Sequence, residues 1–185
     1  CGVCLIGPGL GRGNGVAAVV RHLLGEIHLP VVLDADGINA LAGHMDEWER
    51  RRGRVTVLTP HEGEFLRVGG NLSQGRTAAA TEFAHQSGAV VVLKGPGTVV
   101  AGPDGRCRVN TTGNCGMAKG GSGDVLSGVV LALLGLGMDA FDACCCAVWL
   151  HGRAGDLAAQ EKGQWGMTPT DLLERLPQAL REVTE

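Results

Sequence analysis

Short aliphatic runs recur along this chain, separated by stretches of helical pattern. Val3–Ile6, Val31–Leu33, Val55–Leu58 and Ala89–Leu93 are apolar almost without interruption. Strands of this kind are buried on both faces, which belongs to a parallel sheet rather than to an alternating, half-solvated one. Helical patterns lie between them, at Val16–Glu26, from Ile38, after Thr59-Pro60 and over Thr77–Gln86. The order predicts an α/β fold: a mainly parallel central sheet with helices on both faces, a three-layer αβα sandwich. Thr98–Ala101 and Arg106–Val109 flank Pro103-Asp104-Gly105, whose turn chemistry predicts a β-hairpin at one side of that sheet. Helices come next at Val125–Leu136 and Ala140–Gln160. In the last helix Thr168 is the N-cap, Pro169 takes the first position and Asp171 completes a capping box. Its apolar stripe is Leu172, Leu173, Leu176, Ala179, Leu180 and Val183.

No linker, repeat or low-complexity segment interrupts the 185 residues, so a single domain over 1–185 is expected. The chain opens on Cys1 and enters a buried strand at once. A domain truncated at its N-terminal side is the expectation.

Composition narrows the function classes. Aromatic residues are 3% of the chain and tyrosine is absent, which leaves no stacking surface for single-stranded nucleic acid. The net charge is −3, and the one basic cluster, Glu49–Arg54, reads as a solvated helix end before a strand, so no nucleic-acid partner is expected. No apolar stretch is long enough to span a bilayer, and the start does not read as a signal peptide. Seven cysteines include the run Cys144–Cys146; adjacent helix positions diverge by about 100°, so the run cannot face one metal ion. An odd count without paired CxxC spacing suits reduced thiols in a cytoplasmic protein. The apolar helices leave room for a subunit interface, and a homo-oligomer is expected.

In parallel sheets ligands bind beyond the carboxyl ends of the strands, and here those ends carry the unusual residues. The loop Gly7–Gly13 fails the dinucleotide spacing GxGxxG in each register, at Arg12, Asn14 or Val16, yet its glycines would let backbone touch a ligand. Asp34 and Asp36 could bind Mg²⁺ through water, act as acid or base, or cap the helix starting near Ile38. In Thr59–Glu64, Thr59 can cap and Glu62 can close a capping box, which leaves His61 and Glu64 without a local task. Lys94, before Gly95-Pro96-Gly97-Thr98, can reach a phosphate or simply meet solvent. His151 falls among core positions of a helix and reads as structural.

The segment Gly113–Gly128, GNCGMAKGGSGDVLSG, carries the sharpest signal. It is not a Walker loop, because Ser122 stands where that motif needs lysine. Gly120, Gly121 and Gly123 nonetheless precede an apolar helix, so backbone N–H groups can converge on an anion at its N-terminus. Asp124 in that position suits a base that takes a proton from a hydroxyl attacking phosphorus.

NTTGNCGMAKGGSGDVLSG at Asn110–Gly128 closely resembles the signature of the nucleotide-dependent NAD(P)H-hydrate dehydratases, a branch of the ribokinase-like superfamily. IGPGLGRG, VVLDADGINAL, VLTPHEGEF, VLKGPGTVV and GMTPTDLL stand in that family's order. The resemblance runs from about Leu5 to about Leu180. It implies a ribokinase-like fold and the repair of (S)-NAD(P)H hydrate by phosphorylation from ADP or ATP followed by loss of phosphate. It further implies Asp124 as base; Gly121, Ser122 and Gly123 as anion hole, with Gly123 also at the nucleotide; and Lys94, Gly95, Pro96, Gly97 and Thr98 as nucleotide contacts. Gly9, Gly11 and His61 would touch the hydrated dinucleotide. Glu64 would organise Mg²⁺, directly or through water. Lys119 departs from the small or neutral residue usual there, as a phosphate contact or a solvated side chain. Part of the hydrate site would precede Cys1. Two alternatives stay open: a hydroxymethylpyrimidine- or hydroxyethylthiazole-type kinase of the same superfamily, and a non-catalytic nucleotide-binding module.

Overall fold

A computed structural model describes residues 2–44 and 46–184; Cys1, at which the chain opens, lies outside them. Six strands form one sheet in sequence order: β1 (Cys4–Ile6), β2 (Val31–Leu33), β3 (Thr56–Leu58), β4 (Val90–Leu93), β5 (Val99–Ala101) and β6 (Cys107–Val109). The first four run parallel, with Ile6 level with Leu33 and Leu33 with Leu58. β5 and β6 are antiparallel, as the Pro103-Asp104-Gly105 turn requires; Gly105 sits there at φ 89°.

Side chains alternate across the strands and divide the core in two. Val31, Leu33, Leu58, Val91 and Leu93 face one helical layer. That layer holds α1 (Asn14–Glu26), α2 (Asp36–Asn39), α3 (Asp46–Arg51), α4 (Glu62–Arg67) and α5 (Arg76–Ser87). Val32, Val57, Val92 and Val100 face the other, against α6 (Ser122–Gly135) and α7 (Ala140–Gly166). α8 (Pro169–Thr184) packs on α7 and α6 through Leu172 and Ala179. The architecture is the expected αβα sandwich.

Local departures from the sequence reading have physical causes. α7 runs six residues beyond Gln160 to Gly166, across a break at Gly163, whose φ of 71° only glycine adopts freely. The apolar stripe of α8 is narrower than expected: Leu172 and Ala179 are buried against α7 and α6, while Leu173, Leu180 and Val183 are exposed. Its capping box forms, with Thr168 N–H donating to Asp171 and Asp171 N–H donating to Thr168 Oγ1. The basic cluster is not wholly solvated. Arg51 is 3% exposed, and its guanidinium donates to the carbonyls of Leu24, Ile27, Leu29 and Val55, stapling α1 to the approach to β3. The six described cysteines are free. Burial pushes Cys144 far above the ordinary thiol range and Cys145 to about 11, so these thiols are unreactive.

The ends of β1 and β2 touch through backbone alone. A Cβ on Gly7 would collide with the Asp34 carbonyl, and one on Gly37 with the Ile6 carbonyl. Gly9, at φ 74°, has open space around it. Gly7→Ala or Gly37→Ala should therefore lower stability by about 2–4 kcal/mol, and Gly9→Ala by about 1 kcal/mol, measured as shifts in urea midpoint.

Candidate functional site

The register of the parallel strands delivers their following residues to one edge of the sheet. Asp34 follows β2, His61 lies three residues past β3, and Lys94 follows β4 and bridges His61 in parallel register. Asp34 is 1% exposed, and its Oδ1 lies 2.8 Å from Lys94 Nζ. Ala35 next to it takes φ 47°, the one non-glycine residue with positive φ among those described. This turn costs about 1–3 kcal/mol. It lets Asp34 point inward while Asp36, two residues on, accepts from the Gly11 N–H at 2.9 Å and from the Arg12 side chain. Desolvation opposes ionisation of Asp36, but these bonds together hold its carboxyl below the usual range. Asp36 thus braces the Gly9–Gly11 loop, and does not cap α2, whose N-cap position is Ala35.

The start of α4 differs from expectation. The chain stays extended through Thr59, whose N–H donates to the Leu33 carbonyl, and the Pro60 carbonyl accepts from Lys94 N–H. The helix therefore begins two residues later. His61 is the N-cap: its Nδ1 accepts from the Glu64 N–H while Glu64 Oε2 accepts from the His61 N–H. The two residues left without a local task in the sequence form the capping box themselves. Glu64 is buried, with its other oxygen 3.5 Å from His61 Nε2 and Oε2 4.0 Å from Lys94 Nζ.

A cavity of about 720 Å³ opens beside this cluster. Its wall includes His61, all five residues Lys94–Thr98, the loop Asn110–Cys115, and Ser122, Gly123, Leu126 and His151. Loop Asn110–Cys115 is fastened to α7 by specific bonds. Asn110 and Thr112 donate to the carbonyls of Val148 and Trp149, and Asp156 accepts from Gly113 N–H and from Asn114. Gly152 has no room for a Cβ, since Thr112 occupies that space.

Gly121, at φ 96°, is the N-cap of α6 and turns the chain into the helix. Gly123 faces the acid–lysine cluster; a Cβ there would lie 3.3 Å from Lys94 Nζ and 3.8 Å from Asp34 Oδ2. Asp124 is exposed in the first turn. Ser122, Gly123 and Leu126 line the cavity side of the helix, and Asp124, about 100° beyond Gly123, is exposed and is not among the lining residues. Gly9, Gly11 and Asp124 are accordingly absent from the cavity wall, while the expected nucleotide contacts and Ser122 and Gly123 come together in it.

Three residues carry roles that the sequence reading did not give them. His151 Nε2 sits 2.9 Å from the Ser122 carbonyl. A carbonyl only accepts, so Nε2 bears the proton and Nδ1 is bare. Burial, reinforced by the charge of Lys94, pulls its pKa down to about 4 against that bond, so the ring is neutral and anchors the start of α6. Arg76 lies beneath the Lys94–Thr98 loop and donates to the carbonyls of Leu93, Pro96 and Gly97. It also pairs with Glu62 at 3.2 Å; the helix read from the sequence begins one residue later, at Thr77, and the one local signal for Arg76 is a basic residue in a first turn that holds no acid, against the helix dipole. Lys119 lines the same cavity and donates to the carbonyls of Trp165 and Met167 at the end of α7.

The sequence profile of the NAD(P)H-hydrate dehydratase family matches residues 1–178. The chain belongs to that family. It is 44% identical over 187 residues to the bifunctional NAD(P)H-hydrate repair enzyme Nnr of Thermofilum pendens, covering 99% of this chain and 36% of that protein. It is 41% identical to the ADP-dependent (S)-NAD(P)H-hydrate dehydratase of Neisseria meningitidis, covering 86% of this chain and 56% of that one. The ADP/ATP-dependent NAD(P)H-hydrate dehydratase of Bacillus subtilis, co-crystallised with ATP/Mg²⁺, superposes with a TM-score of 0.84 at 38% identity, over 98% of this chain and 64% of that one. The chain thus spans about a third of the length of the bifunctional relatives it matches.

For a dehydratase-family chain the fit of Mg²⁺ is a direct question, and the protein's own acids answer it. Both oxygens of Glu64 are turned onto His61, and Asp34 is paired with an ammonium. Among the described residues no three His, Cys, Asp or Glu side chains converge to hold a metal ion. As placed here, Asp34 and Glu64 offer oxygens to Lys94 and His61, and a Mg²⁺ ion held by one or two carboxylates would need water and phosphate oxygens to complete its shell.

The depressed pKa of His151 sets a pH dependence. Its folded value, about 4, lies below the 6.5 of an unperturbed histidine, so the unfolded chain binds more protons between those values. The stabilising term is fully present above pH 6.5 and is lost as pH falls to about 4, an effect of roughly 3 kcal/mol. Urea unfolding between pH 7 and 4.5 should show this loss, and His151→Gln should flatten it.

Proposed function

We propose that the protein restores hydrated nicotinamide cofactors, converting (S)-NAD(P)H hydrate to NAD(P)H at the expense of ADP or ATP. The observation that carries the reading is the division made by the start of α6. Ser122 and Gly123 border a cavity that also holds the Lys94–Thr98 loop, and the exposed Asp124 next to them is not part of its lining. A nucleotide in the cavity would bring its terminal phosphate to the N–H groups of the first turn, where the dipole and Lys94 both favour an anion. An acceptor hydroxyl on the far side, beside the Gly9–Gly11 loop, would meet Asp124. Donor and base then stand on either side of the transferring phosphoryl, as an in-line displacement requires.

In the first step Asp124 takes the proton of the ring hydroxyl, whose oxygen attacks phosphorus while the bond to the nucleotide's leaving oxygen breaks. The phosphate ester then leaves with its C–O electrons, the neighbouring ring carbon gives up a proton, and the double bond re-forms. With ADP the products are NAD(P)H, AMP and phosphate. Mg²⁺ enters as part of the nucleotide co-substrate, bound by its phosphate oxygens and water. The free thiols of the described cysteines support a reducing, cytoplasmic setting. Leu173, Leu180 and Val183, exposed along one face of α8, support a homo-oligomer.

The test is incubation with NADH hydrate, Mg²⁺ and ADP or ATP, following recovery of NADH absorbance. Recovery is expected with at least one nucleotide. Turnover of a thiamine-precursor alcohol without any recovery would replace the dehydratase with the kinase. Asp124→Asn should lower kcat by about 10²–10⁴ while leaving nucleotide affinity within about twofold, measured by calorimetry. A near-unchanged rate would remove Asp124 as the base.

A further inference from the structure

Asp34 ends β2 as a nearly inaccessible carboxylate, and a buried charge of this kind persists only when paired. Its partner is Lys94 Nζ at 2.8 Å, and Glu64 stands 4.0 Å from the same ammonium. We infer that Asp34 is a positioning residue: it fixes the Lys94 ammonium against Gly123, so that a built-in cation occupies the place where Asp34 and Glu64 would otherwise gather a divalent ion. The inference rests on the nucleotide reading of the cavity and names how its phosphate end is charged.

The geometry supports this at each contact. A lysine on a flexible stem has several rotamers open to it, and the carboxylate selects one. Gly123 is where that rotamer points: a Cβ there would lie 3.3 Å from Nζ, close enough that the ammonium would have to shift by a few tenths of an ångström. Asp34 Oδ2 lies 3.8 Å from the same point, so acid, ammonium and helix start form one packed unit. A Mg²⁺ ion on Asp34 would face a like charge a few ångströms away, while Glu64 Oε2 accepts from the His61 N–H and Oε1 lies 3.5 Å from His61 Nε2. The strained turn at Ala35 keeps Asp34 directed inward.

The experiment is ADP binding by calorimetry, once with Mg²⁺ and once with EDTA. It compares the unmodified protein with Asp34→Ala, Asp34→Asn, Lys94→Met and the Asp34–Lys94 double variants. Asp34→Ala should weaken ADP by about ten- to a hundredfold in both conditions. Asp34→Asn, whose amide oxygen still accepts from Nζ, should recover most of that loss. In the Lys94→Met background either Asp34 change should alter affinity by no more than about twofold, since its effect passes through the lysine. A loss confined to Mg²⁺, or one that persists in the Lys94→Met background, would make Asp34 a metal ligand and overturn the inference. If Asp34→Ala shows no cooperative thermal transition, Asp34→Ser, whose shorter side chain also gives up the contact with Nζ, carries the same comparison alone and in the Lys94→Met background. Absence of ADP binding by the unmodified protein would overturn the nucleotide reading itself.

Discussion

Ile6, Leu33 and Leu58 lie level across three parallel strands, and Leu58 is level with Val91 of the fourth. The residues just past each strand therefore emerge at one edge of the sheet, and the site consists of those emerging residues. The approach is close enough that backbone meets backbone: Gly7 and Gly37 allow the β1 and β2 exits to touch, with no space for a Cβ on either. Asp34, held inward by the turn at Ala35, then reaches Lys94 across the intervening strand β3. The α6 start is laid over this edge, with Gly123 against the ammonium and His151 holding the Ser122 carbonyl from behind.

This arrangement separates two kinds of electrostatic work. On the cavity side, a lysine and the positive end of α6 face the same space, and the neutral His151 leaves the favourable charge to those two. Arg76 takes the carbonyls of the Lys94–Thr98 loop. On the other side an exposed carboxylate, Asp124, stands in the first turn, where the helix dipole also favours it. The two sides need no large motion to act together, since a single helical turn lies between them.

Much of this was legible in the sequence because strands buried on both faces announce themselves as apolar runs, and glycines and acids at their ends stand out against them. The sheet, its hairpin and the loop-to-helix character of Gly113–Gly128 all come from local pattern. The hidden part depends on partners far away in sequence. Thr59 was expected to cap α4, yet it continues the strand because the Leu33 carbonyl accepts its N–H, which passes the cap to His61. Arg51 looked solvated until the carbonyls of Leu24, Ile27 and Leu29 surrounded it. Lys119 and His151 act on main-chain carbonyls some thirty to fifty positions away. Side chain to carbonyl bonds leave no periodicity, so pattern reading cannot find them; only the odd arginine opening α5 gave a local hint.

The proposed chemistry stands or falls on the start of α6 dividing nucleotide from dinucleotide. A crystal structure of the protein with ADP and unhydrated NADH bound together tests that division. ADP should lie in the cavity, its terminal phosphate at the Gly123 N–H and Lys94 Nζ, with the nicotinamide ring on the Asp124 side. The dinucleotide in the cavity, or both ligands on the Asp124 side, would contradict it.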